Sequence, residues 1–172
     1  MRNDTARYFD SEDIIVRPNT DTALIIGICH YLCRNNLYDE EFIKKYTVGF
    51  NKFKAYFLGE SDKIVKDAAW ASKICGLSEE AIAKFATALA KEPSTILIGR
   101  GLQRADHGEQ PFWALVALNA MLGHIGKEGL GFEFSLGYGS AGATNKVAPI
   151  LKGLSTRIDA VSYTHLTLPT KA

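Results

Sequence analysis

Apolar residues recur at helical spacing through most of the first half of the chain. Ala23, Ile26, Gly27, His30 and Tyr31 fall on one face, and Leu24, Ile28 and Leu32 broaden it, so the pattern predicts a largely buried helix over Asp21–Arg34. Ahead of it, residues 14–18 read as a short extended segment ended by Pro18, with Asn19 or Thr20 placed to cap the helix. Asn35 and Asn36 end it. Asp39 caps a short helix over Glu40–Tyr46, acidic first and basic last as the helix dipole favours, with Gly49 as its stop. Phe50, Phe53, Tyr56 and Phe57 then recur at spacings of three and four, which predicts a helical core contact rather than a cofactor box. Residues 67–75 form another short helix closed by Gly76. Ser78 caps Glu79–Lys91, whose Ala81, Ile82, Phe85, Ala86 and Leu89 oppose Glu79, Glu80, Lys84 and Lys91.

Pro93 breaks the helical pattern, and residues 94–98 form an apolar run too short for a helix, read as a buried parallel strand. A loop over 99–109 leads to a helix over 110–124, with Pro111 suited to its first turn. Helix, strand, loop and helix in that order predict an α/β fold, a piece of an open parallel-sheet, Rossmann-like domain. Ligands of such folds bind beyond the C-terminal ends of the strands. Residues 123–142 hold seven glycines in twenty positions, which suits loops or a backbone laid against a planar ligand; the loop is the default reading.

Charge narrows the function classes. Twenty basic against nineteen acidic residues leave a net charge of +1, which argues against a mainly electrostatic nucleic-acid or membrane binder. An apolar content of 47% argues against intrinsic disorder, and 172 residues suffice for one domain core. The three cysteines, Cys29, Cys33 and Cys75, have no framework spacing; Cys29 and Cys33 lie in an apolar run and read as buried thiols rather than metal ligands. Neither a signal peptide nor a membrane span is visible, so no direct membrane insertion is expected. Residues 161–172 resemble an in-frame translation of a sequencing-library adapter and are set aside, His165 with them.

The chemistry-bearing stretch runs from Ile98 through Gly99, Arg100, Gly101, Leu102, Gln103, Arg104, Ala105, Asp106, His107, Gly108 and Glu109 to Gln110. It leaves a strand end, crosses a glycine-bearing loop with two arginines and enters a helix. Backbone amides and guanidinium forks at such a place suit a phosphate or a polar heterocycle. As a generic pattern it is weak: it is neither the GxGxxG dinucleotide fingerprint nor a Walker loop.

Ile-Gly-x-Gly-x-Gln-Arg-x-x-His-Gly-Glu-Gln, followed by an apolar helix ending Met121-Leu-Gly-His-Ile-Gly126, resembles the molybdopterin oxidoreductases of the dimethyl sulfoxide reductase family. Arg17-Pro-Asn-Thr-Asp-Thr-Ala-Leu, Asn36-Leu-Tyr-Asp, Tyr46-Thr-Val-Gly-Phe and Asp67-Ala-Ala-Trp-Ala are similar to that family in the same order, so the resemblance covers about residues 2–145. His-Gly-Glu-Gln and Tyr-Thr-Val-Gly-Phe resemble most the trimethylamine N-oxide, dimethyl sulfoxide and biotin sulfoxide reductase branch.

The resemblance implies a bacterial, anaerobic-respiratory enzyme that uses a molybdenum bis(molybdopterin guanine dinucleotide) cofactor to reduce an N-oxide or S-oxide by oxygen-atom transfer. It implies an electron-donor protein such as a cytochrome or an iron–sulfur subunit, no nucleic acid, and a periplasmic location. By motif, the resemblance implies Gly99, Arg100, Gly101, Gln103, Arg104 and Tyr138 as the cofactor-side residues, and Arg104 as the catalytic residue, a fixed cation beside the active-site pocket and the pterin. Arg100 stands where relatives often carry tryptophan, which changes the pocket wall. Leu130 with Glu128 and Gly129 replaces a Pro-Gly-Gly. His107 and His124 are expected to be structural hydrogen-bonding residues, and Glu109 to cap the helix that follows. The segment that ligates molybdenum, the first α/β half of the cofactor cradle and the C-terminal pterin-binding barrel are expected outside this chain. Residues 1–160 are thus expected to be an internal, cofactor-cradling piece without activity of its own. The rivals are a formate or nitrate reductase-like molybdoenzyme and a non-catalytic nucleotide-binding module.

Overall fold

Side-chain caps start three of the helices and fix where the chain turns. The computed structural model describes residues 8, 9 and 11–134, excepting the side chains of Arg100 and Phe134. In order these form α1 (Asp21–Arg34), α2 (Glu40–Tyr46), α3 (Phe50–Phe57), α4 (Ala68–Cys75), α5 (Glu79–Lys91), β1 (Thr95–Ile98), a 3-10 helix (Arg100–Arg104), α6 (Gln110–Met121) and β2 (Gly131–Phe134). Asp39 accepts from the Phe42 amide at 2.8 Å, Asp67 from Trp70 at 2.8 Å and Ser78 from Ala81 at 3.2 Å. Each such cap contributes about 1 kcal/mol by satisfying an N–H that the helix itself leaves unpaired.

Two terminus expectations need correction. Thr20 holds the N-cap position of α1 but caps nothing with its side chain; its hydroxyl donates to the Arg17 carbonyl at 2.6 Å. Gly49 does not stop α2, which already ends at Tyr46 with Thr47 as its C-cap; the Thr47 hydroxyl donates to the Ile43 carbonyl at 2.8 Å. With φ +82°, a conformation costly for residues bearing a Cβ, Gly49 instead turns the chain into α3. Residues 14–18 form no strand, yet they are anchored. The Arg17 amide donates to the Cys75 carbonyl at 2.9 Å and its guanidinium to the Lys73 carbonyl at 3.0 Å, at the end of α4.

α1 is the hub and packs against α4, α5 and α6. Its approach to α4 needs Gly27, because a Cβ there would lie 2.6 Å from the Ala71 Cβ. Ile28, Leu32, Phe57, Ile82, Leu118 and Met121 fill the core, and Phe50 and Phe53 of the α3 stripe pack on it as expected, whereas Tyr56 of that stripe is exposed. Cys29, Cys33 and Cys75 are free and buried there. Burial pushes the Cys29 and Cys33 thiols up from their ordinary range, so they pack as small apolar groups rather than reacting as thiolates. Lys66 is the buried charge that patterning did not reveal. Its ammonium pairs with the Asp62 carboxylate, donates to the Ile64 carbonyl at 2.8 Å and lies 4.2 Å from the centre of the Tyr56 ring. That clasp secures the chain between α3 and α4, because a buried ammonium is tolerated only when it is paired and hydrogen-bonded.

β1 and β2 pair in parallel from Thr95 opposite Gly131 to Ile98 opposite Phe134, with α6 in the crossover, so the architecture is α/β. The strand predicted to be buried is so only at Ile98; Thr95 and Leu97 are exposed. β2 lies inside the glycine-rich stretch read as loop, where the Thr95 hydroxyl donates to the Gly129 carbonyl at 2.7 Å. α6 ends at Met121, three residues before the predicted end, as the backbone turns at Gly123 and the His124 amide closes on the Asn119 carbonyl at 3.0 Å. Residues 135–172, with Tyr138 and the adapter-like tail, lie outside the described residues.

Candidate functional site

The site is built where β1 runs out. Ile98 is anchored in the core, Gly99 leaves it in extended conformation, and the chain tightens into the 3-10 helix, closed by the Ala105 amide on the Leu102 carbonyl at 3.3 Å. Leu102 packs against the core, while Gln103 and Arg104 are exposed. One apolar side chain thus pins a turn whose next two residues present an amide and a guanidinium to the outside. Among the described residues, the Arg104 guanidinium has no ion-pair partner.

Glycines shape this turn in two ways. A Cβ on Gly99 or on Gly101 would meet nothing within 4 Å, so the fold itself does not demand glycine there, and both leave room for a ligand to approach the backbone. Gly108 is the opposite case. A Cβ on it would stand 2.5 Å from the Leu102 carbonyl oxygen and 2.7 Å from the Gln103 carbonyl carbon and oxygen. Its own amide donates to the Ala105 carbonyl at 3.1 Å, so the segment after the turn lies directly on the turn's backbone.

Three concavities border the turn. One of about 510 Å³ runs between β1 and α1 and is lined by Ile25, Phe85, Ile96, Gly99, Gly101 and Leu102. A second, of about 430 Å³, lies at the N-terminal ends of α1 and α6, with Asn19, Thr22, His107 and Gln110 in its wall. Gln103 lines a third, of about 470 Å³, with Phe112, Trp113 and Phe132. The structure therefore brings Gly99, Gly101, Gln103, Arg104 and the Arg100 backbone onto one turn at a strand's C-terminal end. The glycines face one cleft and Gln103 another, and Tyr138 lies outside the described residues. Sequence reasoning missed Leu102 as the pin and Gly108 as the support; the Gly in His-Gly-Glu-Gln was the only signal for the latter.

The acid–base residues take quiet positions. Glu109 sits at the N-cap of α6 as expected, but its carboxylate caps no amide of the first turn and accepts from Gln110 Nε2 at 3.3 Å. Its carboxyl is held below the usual range by its own backbone N–H, then by Gln110 and His107. His107 is exposed, with Nε2 3.9 Å from an Asp106 carboxylate oxygen. His124 is buried and its Nδ1 has no hydrogen-bond partner among the described residues, so the ring hydrogen bond expected of it is not formed there at that nitrogen. Burial first, and Lys127 second, push its pKa down; burial does the same to His30, with Asp67 opposing.

Both depressed histidines carry a pH consequence. The unfolded chain takes up their protons at about pH 6.5 and the folded chain only at lower pH, so their stabilising contribution is complete above that value. It is lost as pH falls through the folded pKa values. The urea midpoint is expected to drop from neutral pH toward about pH 5, and His124→Gln to flatten that slope. An unchanged slope in the variant would mean that His124 protonates as readily folded as unfolded.

Residues 2–167 match the family model described as molybdopterin oxidoreductase. The trimethylamine-N-oxide reductase of Pasteurella multocida is 41% identical over 160 residues, covering 92% of this chain and 19% of that protein. The dimethyl sulfoxide/trimethylamine N-oxide reductase of Cereibacter sphaeroides is 41% identical over 155 residues, covering 90% of this chain and 19% of its own length. The chain thus spans about a fifth of the curated relatives it matches. Among solved structures, the acetylene hydratase of Pelobacter acetylenicus superimposes with a TM-score of 0.60 at 25% identity, covering 71% of this chain and 16% of that one. A hydratase shares the fold of this segment, so the fold alone does not select a reaction. The family match over nearly the whole length, with identities near two-fifths to named relatives, establishes that this chain belongs to the molybdopterin oxidoreductase family.

Proposed function

We propose that the chain is the part of a molybdenum-dependent N-oxide or S-oxide reductase that brings the turn over Gly99, Arg100, Gly101, Gln103 and Arg104 to the cofactor and the oxide. The observation that carries this is the turn itself. Two glycines with open space above them and a guanidinium without an ion-pair partner among the described residues share the C-terminal end of a parallel strand, in a chain about 40% identical to oxide reductases. The residues present fit a molybdopterin guanine dinucleotide: small backbone positions for close approach, and an amide and a fork of N–H donors for polar groups. When bound, the cofactor supplies the two-electron oxygen-atom transfer. The protein's share is positional. Gly99 and Gly101 leave the backbone accessible, Gln103 offers an amide, and Arg104 holds a fixed positive charge where the oxide oxygen gathers negative charge. The sheet of β1 and β2 belongs to a Rossmann-like domain in the complete protein. The complete enzyme takes electrons from a partner protein, a cytochrome or an iron–sulfur subunit, and works in the periplasm.

The test uses the complete polypeptide, recovered by extending the reading frame on both sides. Purified after anaerobic expression, it is expected to hold molybdenum and to reduce trimethylamine N-oxide or dimethyl sulfoxide with a reduced viologen dye as donor. Molybdenum with nitrate reduction or formate oxidation instead would assign it to another branch. Guanine-nucleotide binding without molybdenum would sink the enzyme reading.

A further inference from the structure

α6 carries no charged residue from Gln110 to Met121, and its apolar residues are spread around the whole helix. One side, with Ala114, Leu115, Leu118 and Met121, is buried, and α6 packs on α1. The other side has no cover among the described residues: Trp113 is 68% exposed and Val116 43% exposed. Phe132 of β2 and Val48, between α2 and α3, extend this face at 38% and 99% exposure. Two clefts, of about 250 and 470 Å³, meet along it and share Trp113 and Val116. A helix that is apolar all round belongs in an interior, and a continuous apolar patch of this kind marks a surface that something else covers.

We infer that this face is the seat of an intramolecular interface, covered in the complete protein by an uncharged aliphatic and aromatic surface of the same polypeptide from outside residues 1–172. The inference rests on reading the chain as part of a longer enzyme. Three observations select this occupant. The chain spans 19% of the length of its relatives, so most of such a polypeptide is available to provide the cover. An interface between separate copies carries a polar, solvated rim on an element that is stable alone, whereas α6 carries no charge from Gln110 to Met121, with the Glu109 carboxylate at its N-cap. The face is also continuous with Gln103, which lines the same cleft as Trp113, so the covering segment would wall one side of the candidate site.

Oxidative footprinting of the complete protein tests this, with Trp70, half-buried in the core, as the internal reference and urea-unfolded protein as the exposed limit. Labelling of Trp113 is expected to be lost, in cofactor-loaded and cofactor-stripped protein alike, and to stay lost on dilution. A photo-crosslinking amino acid in place of Trp113 is expected to join a peptide from outside residues 1–172. Persistent labelling of Trp113 overturns the inference. Protection that disappears on stripping makes the cofactor the occupant, protection that disappears on dilution makes it a second copy, and a crosslink to residues 135–172 makes it this chain's own C-terminal segment; each of these overturns it too. A reading frame that ends within this chain sinks the larger-enzyme reading first, which separates the two failures.

Discussion

Arg104→Ala in the complete enzyme is expected to slow oxide reduction by about a hundredfold while molybdenum content and melting temperature stay near those of the parent protein. The size follows from what the side chain would do. A preorganised donor aimed at a developing negative charge contributes roughly two to three powers of ten in rate, because it acts on the transition state more than on the bound oxide. The retention of fold follows from where it sits. Arg104 is exposed and has no ion-pair partner among the described residues, so its truncation removes no core contact, and such surface changes shift stability by at most about 0.5 kcal/mol. Arg104→Lys is expected to fall between, since it keeps the charge and loses the planar fork. Turnover with reduced viologen and elemental analysis for molybdenum, measured on the same preparations, decide the matter. If metal and activity are lost together, the arginine holds the cofactor rather than the oxide.

How much of this was legible in the chain depends on whether the cause was local. Asp39, Asp67 and Ser78 sit three residues before the amides they satisfy, so the starts of α2, α4 and α5 are written in adjacent residues. The helical face of Asp21–Arg34 and the aromatic stripe of α3 are local in the same sense. β2 is not. Gly131-Phe-Glu-Phe134 is a strand because Thr95 to Ile98 lie beside it, and nothing within four residues beginning with glycine reveals a partner over thirty positions away. The exposure of Leu97 was hidden for the same reason, since an apolar strand residue is buried only if something covers its face. Lys66 read as one more surface lysine, because its cage draws Asp62 from four residues back and the Tyr56 ring from ten. In the site, motif spacing found the turn with Gln103 and Arg104, whose chemistry is carried by residue type. It did not find what holds the turn, because Gly108 acts through backbone atoms of Leu102 and Gln103, and a contact with backbone leaves no pattern of side chains.

That hidden support carries the second large effect. Gly108→Ala is expected to lower turnover by about a hundredfold, although the three atoms nearest the added methyl group are all backbone atoms of Leu102 and Gln103. The Cβ would sit 2.5 Å from the Leu102 carbonyl oxygen and 2.7 Å from the Gln103 carbonyl group, well inside the 3.4 Å at which ordinary contact begins. These are backbone atoms of a short 3-10 helix pinned on one side by Leu102 in the core, so the strain cannot be relieved by a change of rotamer. The turn or the segment after it must move by about an ångström, and a misplacement of that size is enough to cost two powers of ten when a catalytic group is held on the moving piece. A modest loss of stability, about 1–3 kcal/mol, accompanies it as overpacking. The double variant separates placement from general damage. If Gly108 matters because it places Arg104, then Arg104→Ala combined with Gly108→Ala turns over no more slowly than Arg104→Ala alone, since the group being misplaced is already gone. If the two losses multiply, the methyl group harms the enzyme by another route, and the role assigned here to the contact between Gly108 and the turn is wrong.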